Sequence, residues 1–154
     1  MRLAPDDLDT GAELAAFAAA APGDEGALAS FAGLCRGAAH DGSALSALVL
    51  ETYRAVTLRS MEAIVEAARA RFAITRALVI HRHGRIAPGE AIVLVACAAV
   101  HRRAALQAVD FIMDGLKSRA VFWKREETAD GARWIEPTEA DYADRARWGD
   151  DAGF

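Results

Sequence analysis

The sequence predicts an α+β fold, a mostly antiparallel sheet carrying two main helices. Two observations predict it. Apolar residues recur at three- and four-residue spacing in only two long stretches, about 57–72 and 101–119, which is the period of an amphipathic helix. Short apolar runs bounded by Gly, Pro or Asp-Gly make up much of the rest. They do not alternate one for one with the helices, as a doubly wound parallel fold would require. A chain of 154 residues fits one domain. Such a domain buries roughly 68–70% of its unfolded surface, so it needs no disulfide or metal to hold a core.

Residues 1–26 read as an Ala-rich, polar N-terminal extension with a short helix from Glu13 to Ala20, ended by Pro22, Gly23 and Gly26. The main domain, 27–136, opens with a small apolar strand from Ala27 to Arg36. Gly37 to Ser43 is a loop and Leu45 to Tyr53 a second strand, and a hairpin between the two is the economical pairing. Thr57 is the expected N-cap of the first helix. Its stripe is Met61, Ile64, Val65, Ala68 and Phe72, with Arg59, Glu62, Glu66 and Arg69 off it. Arg76 to Arg82 and Ala91 to Ala99 are strands joined across Pro88-Gly89. The second helix, about His101 to Arg119, carries Leu106, Val109, Ile112, Met113 and Leu116 on one face. Val121 to Glu127 and Arg133 to Glu136 form a last hairpin about Asp130-Gly131, with Trp123 and Trp134 packing across it. Residues 137–154 are a charged tail, mobile or docking.

Composition narrows the function classes. With 53% hydrophobic and 26% charged residues the chain is globular. A net charge of −4 argues against a general nucleic-acid binder, though not against a local cationic pocket. Cys35 and Cys97 stand far apart with no CxxC pair, as reduced thiols of a cytosolic protein do. Pro5, Asp6, Asp7 and Asp9 do not suit a signal peptide, and the longest apolar run, Ala91 to Val100, is about half a membrane span. A cytoplasmic protein with no membrane partner is the expectation. Walker and Rossmann loops, GxSxG and HExxH are all missing from the sequence.

The richest stretch is HRRAALQAVDFIMDGLKSRAVFWKRE, His101 to Glu126. His101, Arg102 and Arg103 open a helix, where cations oppose the dipole unless an anion offsets them. Helix N–H groups and guanidinium groups together suit phosphate; a solvated basic turn is the blander reading of this segment. Lys117 ends the helix, where a cation is favoured for structural reasons alone. Lys124 follows Phe122-Trp123, and a lysine that loses hydration beside rings has a lowered pKa suited to acid/base or covalent chemistry. Arg36 ends its strand before a Gly-containing loop, a common place for ligand contacts and equally for an exposed charge. His81 and His83 share a strand face, but with only Glu90 as a weak third ligand no metal site is expected, and no cofactor.

Taken in order, SFAGLCR (Ser30 to Arg36), LVLETY (Leu48 to Tyr53), IVEAARARF (Ile64 to Phe72), VIHRHGRIAPGE (Val79 to Glu90), the block from Val100 to Glu126 and RWIE (Arg133 to Glu136) resemble the large subunit of molybdopterin synthase. The stretch Phe111 to Glu126 is the most specific of these. The resemblance implies an α/β-hammerhead-type fold, a homodimer, and a small ubiquitin-like partner whose C-terminal Gly-Gly tail carries a thiocarboxylate. It implies sulfur transfer from that tail to cyclic pyranopterin monophosphate. It also implies substrate contacts from Arg36, His101 and Arg102, and catalytic roles for Lys117 and Lys124. Two repelling anions meeting in one partly dry site need several fixed cations, which suits that set.

The chain departs from the family pattern in places. Val121 stands where a proline is usual, Leu106 replaces a common aromatic, Arg54-Ala55 replaces Pro-Gly, and Pro137-Thr138 stands where an arginine is often seen. Two other readings compete: a docking subunit that binds the ubiquitin-like partner without sulfur transfer, and an unrelated small anion-binding enzyme.

Overall fold

The most apolar stretch of the sequence becomes the centre of the fold. In the computed structural model, which describes residues 1–149, Ala91–Ala99 forms a strand whose residues from Val93 to Ala99 are all buried. In chain order the elements are β1 (Arg2–Ala4), α1 (Thr10–Ala19), β2 (Ala27–Leu34), β3 (Leu45–Glu51), α2 (Arg54–Arg71), β4 (Ile74–Arg82), β5 (Gly84–Ile86), β6 (Ala91–Ala99), α3 (Arg102–Ser118), β7 (Trp123–Thr128), β8 (Gly131–Ile135) and α4 (Glu139–Ala146). They build two four-stranded sheets, β1-β4-β6-β2 and β5-β3-β7-β8. Every strand pair is antiparallel except β1 with β4. The fold is α+β as expected, with α2 and α3 as its main helices.

The expected hairpin between β2 and β3 does not form. The turn between them does close, with Ala39 N–H donating to Ser43 O and Leu45 N–H to Gly37 O. The strands on either side then part into different sheets, β2 along β6 and β3 between β5 and β7. Where β2 begins, the chain runs close to the end of β6: a Cβ on Gly26, just before the strand, would sit 2.6 Å from Val100 O. The short β1 and β5 carry too few apolar residues to register as strands in the sequence. The first helix starts earlier than expected, at Thr10, because Asp9 accepts a capping bond from Ala12 N–H.

Two expectations about helix residues are also corrected. Thr57 is not the N-cap of α2; Tyr53 holds that position without a side-chain bond. Thr57 is fully buried, and its Oγ1 donates to Val121 O at 2.7 Å. Val121 N–H in turn donates to Ser60 Oγ at 3.2 Å. A proline at 121 would lack that donor, so the residue that departs from the family pattern helps tie the α3–β7 connection to α2. In α3, Leu106 is 60% exposed and does not belong to the buried face. Ala105 and Ala108 take its place beside Val109, Phe111, Ile112 and Leu116, letting the helix lie close on the sheet.

Phe111 is the largest fully buried side chain. It packs among Met61, Ile64, Val79 and Val95 in the layer between the first sheet and the two helices. Phe72 and Trp148 meet its ring edge-on. Trp148 reaches the core because the C-terminal segment docks on α3. Its Nε1 donates to Asp114 Oδ2 at 2.7 Å, and Arg147 bridges Asp110 and Asp114. The last hairpin forms, but the tryptophans do not pair across it. Trp123 packs edge-on against Tyr53, and Trp134 lies opposite Arg125 with the guanidinium 5.5 Å from its ring centre. Replacing Phe111→Ala should lower unfolding free energy by about 3–5 kcal/mol. Chemical denaturation measures this, and a loss below about 1 kcal/mol would contradict the placement of Phe111 at the centre of the core.

Candidate active site

The junction between α3 and β7 brings two amines together. Lys117 stands in the last turn of α3, where the unsatisfied carbonyls favour a cation. The chain turns through residues 119–122, held from below by Thr57 and Ser60, and enters β7. Lys124 is the second residue of that strand, flanked by Leu50 of β3 and Ile135 of β8. Strand neighbours on both sides leave its ammonium poorly hydrated. Burial, and then the charge on Lys117, push the Lys124 amine below the usual lysine range, while Asp141 works the other way. The sequence left the burial of Lys124 open. The structure leaves the residue half-buried.

Asp141, on the first turn of α4, faces this pair. Its Oδ1 accepts from Lys117 Nζ at 3.0 Å, while Oδ2 accepts from Thr138 N–H and Oγ1 at 2.8 Å each. Partial burial works against ionisation of Asp141, yet the Thr138 N–H and the Lys117 ammonium outweigh it and hold the carboxyl below its ordinary range. Sequence reasoning missed Asp141. The signal was there in Thr138-x-x-Asp141, a capping-box spacing that marks a helix start.

His81 lies at the base of the same junction. It is 6% exposed, stacks on Phe122 at 4.1 Å between ring centres, and donates from Nδ1 to Arg82 O at 2.8 Å. Burial pushes its pKa down to about 4, with Lys124 adding to the effect, so the ring is neutral near pH 7. His83 falls just beyond the end of β4. Glu90, the third group of the metal reading, instead takes Arg82 and the Ala87 N–H. Among the described residues, no three His, Cys, Asp or Glu side chains gather as a metal site.

The other candidate cations lie elsewhere on the chain. His101 is the N-cap residue of α3 and Arg102 its first residue, both exposed. At about 1.5 Å rise per residue, Arg102 and Lys117 stand roughly 22 Å apart along the helix. Arg36 is exposed just after β2, where its charge is felt by the neighbouring Cys35. One chain therefore unites Lys117 and Lys124 at one end of α3 and leaves His101 and Arg102 at the other.

Comparison with known proteins places this architecture. The family model described as MoaE protein matches residues 3–119. The chain belongs to the MoaE family. A relative from Ralstonia nicotianae named "Molybdopterin synthase catalytic subunit" is 48% identical over 149 residues, 97% of this chain and 84% of that protein. Among solved structures, the "Molybdopterin biosynthesis MoaE protein" from Burkholderia ambifaria matches this MoaE-family chain with a TM-score of 0.77, at 42% identity over 96% of each chain. The "Protein-protein complex of subunit 1 and 2 of Molybdopterin-converting factor" from Helicobacter pylori matches with a TM-score of 0.71 over 90% of each chain. At 22% identity, that last likeness shows the fold alone.

The buried histidine makes a pH-dependent contribution to stability. Its folded pKa lies below the unfolded value of about 6.5, so on acidification the unfolded chain takes the proton first. Stability should fall from near pH 6.5 and level off below about pH 4, by roughly 3 kcal/mol for this group. His81→Phe, which keeps a ring against Phe122, should flatten that part of the curve. Equal acid slopes for the two proteins in denaturant titrations would show that His81 is not the group responsible.

Proposed function

We propose that this chain is the catalytic subunit of a molybdopterin synthase, a cytoplasmic enzyme that moves sulfur from the thiocarboxylated Gly-Gly tail of a small ubiquitin-like subunit to cyclic pyranopterin monophosphate. The observation that carries the reading is the meeting of Lys117 and Lys124 at the end of α3, with the second amine partly stripped of water. The name of the relative that matches 97% of the chain supports it. In net balance, each transfer exchanges the tail's sulfur for an oxygen of the pterin, so no oxidant or reductant is required. Two such exchanges make a dithiolene.

The roles follow from charge and position. Lys117, more than half exposed at the helix end, meets the incoming tail and orients its negative thiocarboxylate or traps the acyl group once sulfur has left. Lys124, less hydrated and with a loosened proton, serves as general acid/base on the pterin oxygen being replaced. Arg36, His101 and Arg102 hold the phosphate and ring through charge-assisted bonds. The roughly 22 Å between Arg102 and Lys117 favours a homodimer in which His101 and Arg102 serve the neighbouring copy's site, within a heterotetramer of two large and two small subunits. No helix among the described residues is long and apolar enough to cross a membrane.

Lys117→Ala should reduce dithiolene formation at least 100-fold when the protein is mixed with thiocarboxylated partner and pterin precursor. Binding of the partner, measured by calorimetry, should stay within a few-fold. Normal product formation by the variant would overturn the assignment. A chain that binds the partner but yields no product even before mutation would be a docking subunit instead.

A further inference from the structure

Lysine is rare in this chain. Lys117 and Lys124 are its only two lysines, and the other sixteen basic residues are arginines. An arginine stays charged at any physiological pH, whereas an amine can release its proton when its surroundings disfavour the charge. The fold places both of these amines at one junction and gives them one carboxylate. That carboxylate, Asp141, is 3.0 Å from Lys117 Nζ, and no hydrogen bond or ion pair is seen for Lys124 among the described residues.

We propose that Asp141 is a positioning residue of this site: its carboxylate holds Lys117 as an ammonium ion, and so makes Lys124 the amine of the pair that exchanges a proton. In assigning proton transfer to Lys124 the proposal rests on the sulfur-transfer reading above. The geometry supports it on three counts. Asp141 is fixed, because its second oxygen is engaged by Thr138 N–H and Oγ1 in the cap of α4. α4 itself is anchored, because Arg147 and Trp148 just beyond it clasp Asp110 and Asp114 on α3. The third count is the surroundings of Lys124. The groups facing it are Lys117 from α3, Asp141 from α4 and neutral His81 from β4, while Leu50 and Ile135 on the adjoining strands carry no charge.

Two ammonium groups with one shared counter-ion cannot be equally stable. The one in direct contact with the carboxylate keeps its proton more firmly. The other is half-buried, feels its like-charged neighbour, and gives its proton up first. The resting site thus holds one fixed cation to receive an anion and one amine ready for acid/base work. Asp141 makes this distinction without itself touching substrate.

The test uses the full-length chain carrying 13C-labelled lysine, whose two Cε resonances are assigned with Lys117→Arg and followed from pH 6 to 12. Lys124 should ionise at lower pH than Lys117. Asp141→Asn keeps an acceptor for the Thr138 cap and removes the charge. It should lower both midpoints, that of Lys124 by at least half a pH unit, and Asp141→Glu should restore them. In the assembled enzyme, the limb of the pH–rate profile that follows Lys124 should move with the Asn variant in the same direction. Midpoints that do not respond to Asp141→Asn overturn the proposal. So does an unaltered chain in which Lys117 ionises first, whatever the variants do. The titration needs neither pterin nor partner, so loss of the sulfur-transfer reading alone would appear as absent product with the lysine order intact.

Discussion

The close packing of α3 on the first sheet is the constraint from which the rest of the structure follows. Ala105 and Ala108 let the helix approach, and Phe111, Ile112 and Leu116 bury themselves against Val79 and Val95 while Met61 and Ile64 of α2 close the other side. A helix held this firmly is a rigid rod of 17 residues, about 25 Å long. It presents His101 and Arg102 at one end and Lys117 at the other. Their separation is a consequence of core packing, not of surface chemistry, and a single copy cannot shorten it.

The second consequence lies at the C-terminal end of that rod. Thr57 and Ser60 bind the turn that leaves α3, so β7 starts beside the helix end rather than away from it. This puts Lys124 between strands and next to Lys117, and a like-charged neighbour in poorly hydrated surroundings loosens a proton. α4 then closes over the same end and brings a carboxylate. Among the described residues the polar bonds that do this are anchored on α3: Asp110 and Asp114 accept from Arg147 and Trp148 beyond the last helix, and Lys117 donates to Asp141. Core packing and site electrostatics therefore share one scaffold.

A good part of this was legible in the sequence. The helical stripes of α2 and α3, the apolar run of β6 and the turn at Asp130-Gly131 are local patterns, and periodicity reads local patterns well. Lys117 and Lys124 were legible as candidates because their order in the block Phe111 to Glu126 carries a family resemblance. Other features were not. Leu106 fits the stripe of α3 by spacing but faces solvent, since Ala105 and Ala108 take the positions that face the sheet. Thr57 looks like a cap and is instead a buried donor to a carbonyl 64 residues away. Trp123 and Trp134 look like cross-strand partners, yet each found a nearer neighbour in Tyr53 or Arg125.

By itself the sequence determined the two main helices and the longer strands, that the chain is α+β, and which residue types could do amine and guanidinium chemistry. These follow from side-chain size, period and turn residues within a few positions of one another. Only the tertiary structure decided that β2 and β3 part into separate sheets, that His81 is buried beneath Lys124, and that Asp141 from the C-terminal segment meets Lys117. Each of these depends on contacts between residues far apart along the chain. Such contacts are chosen by how whole surfaces fit and by the cost of burying charge, neither of which is written in any local stretch.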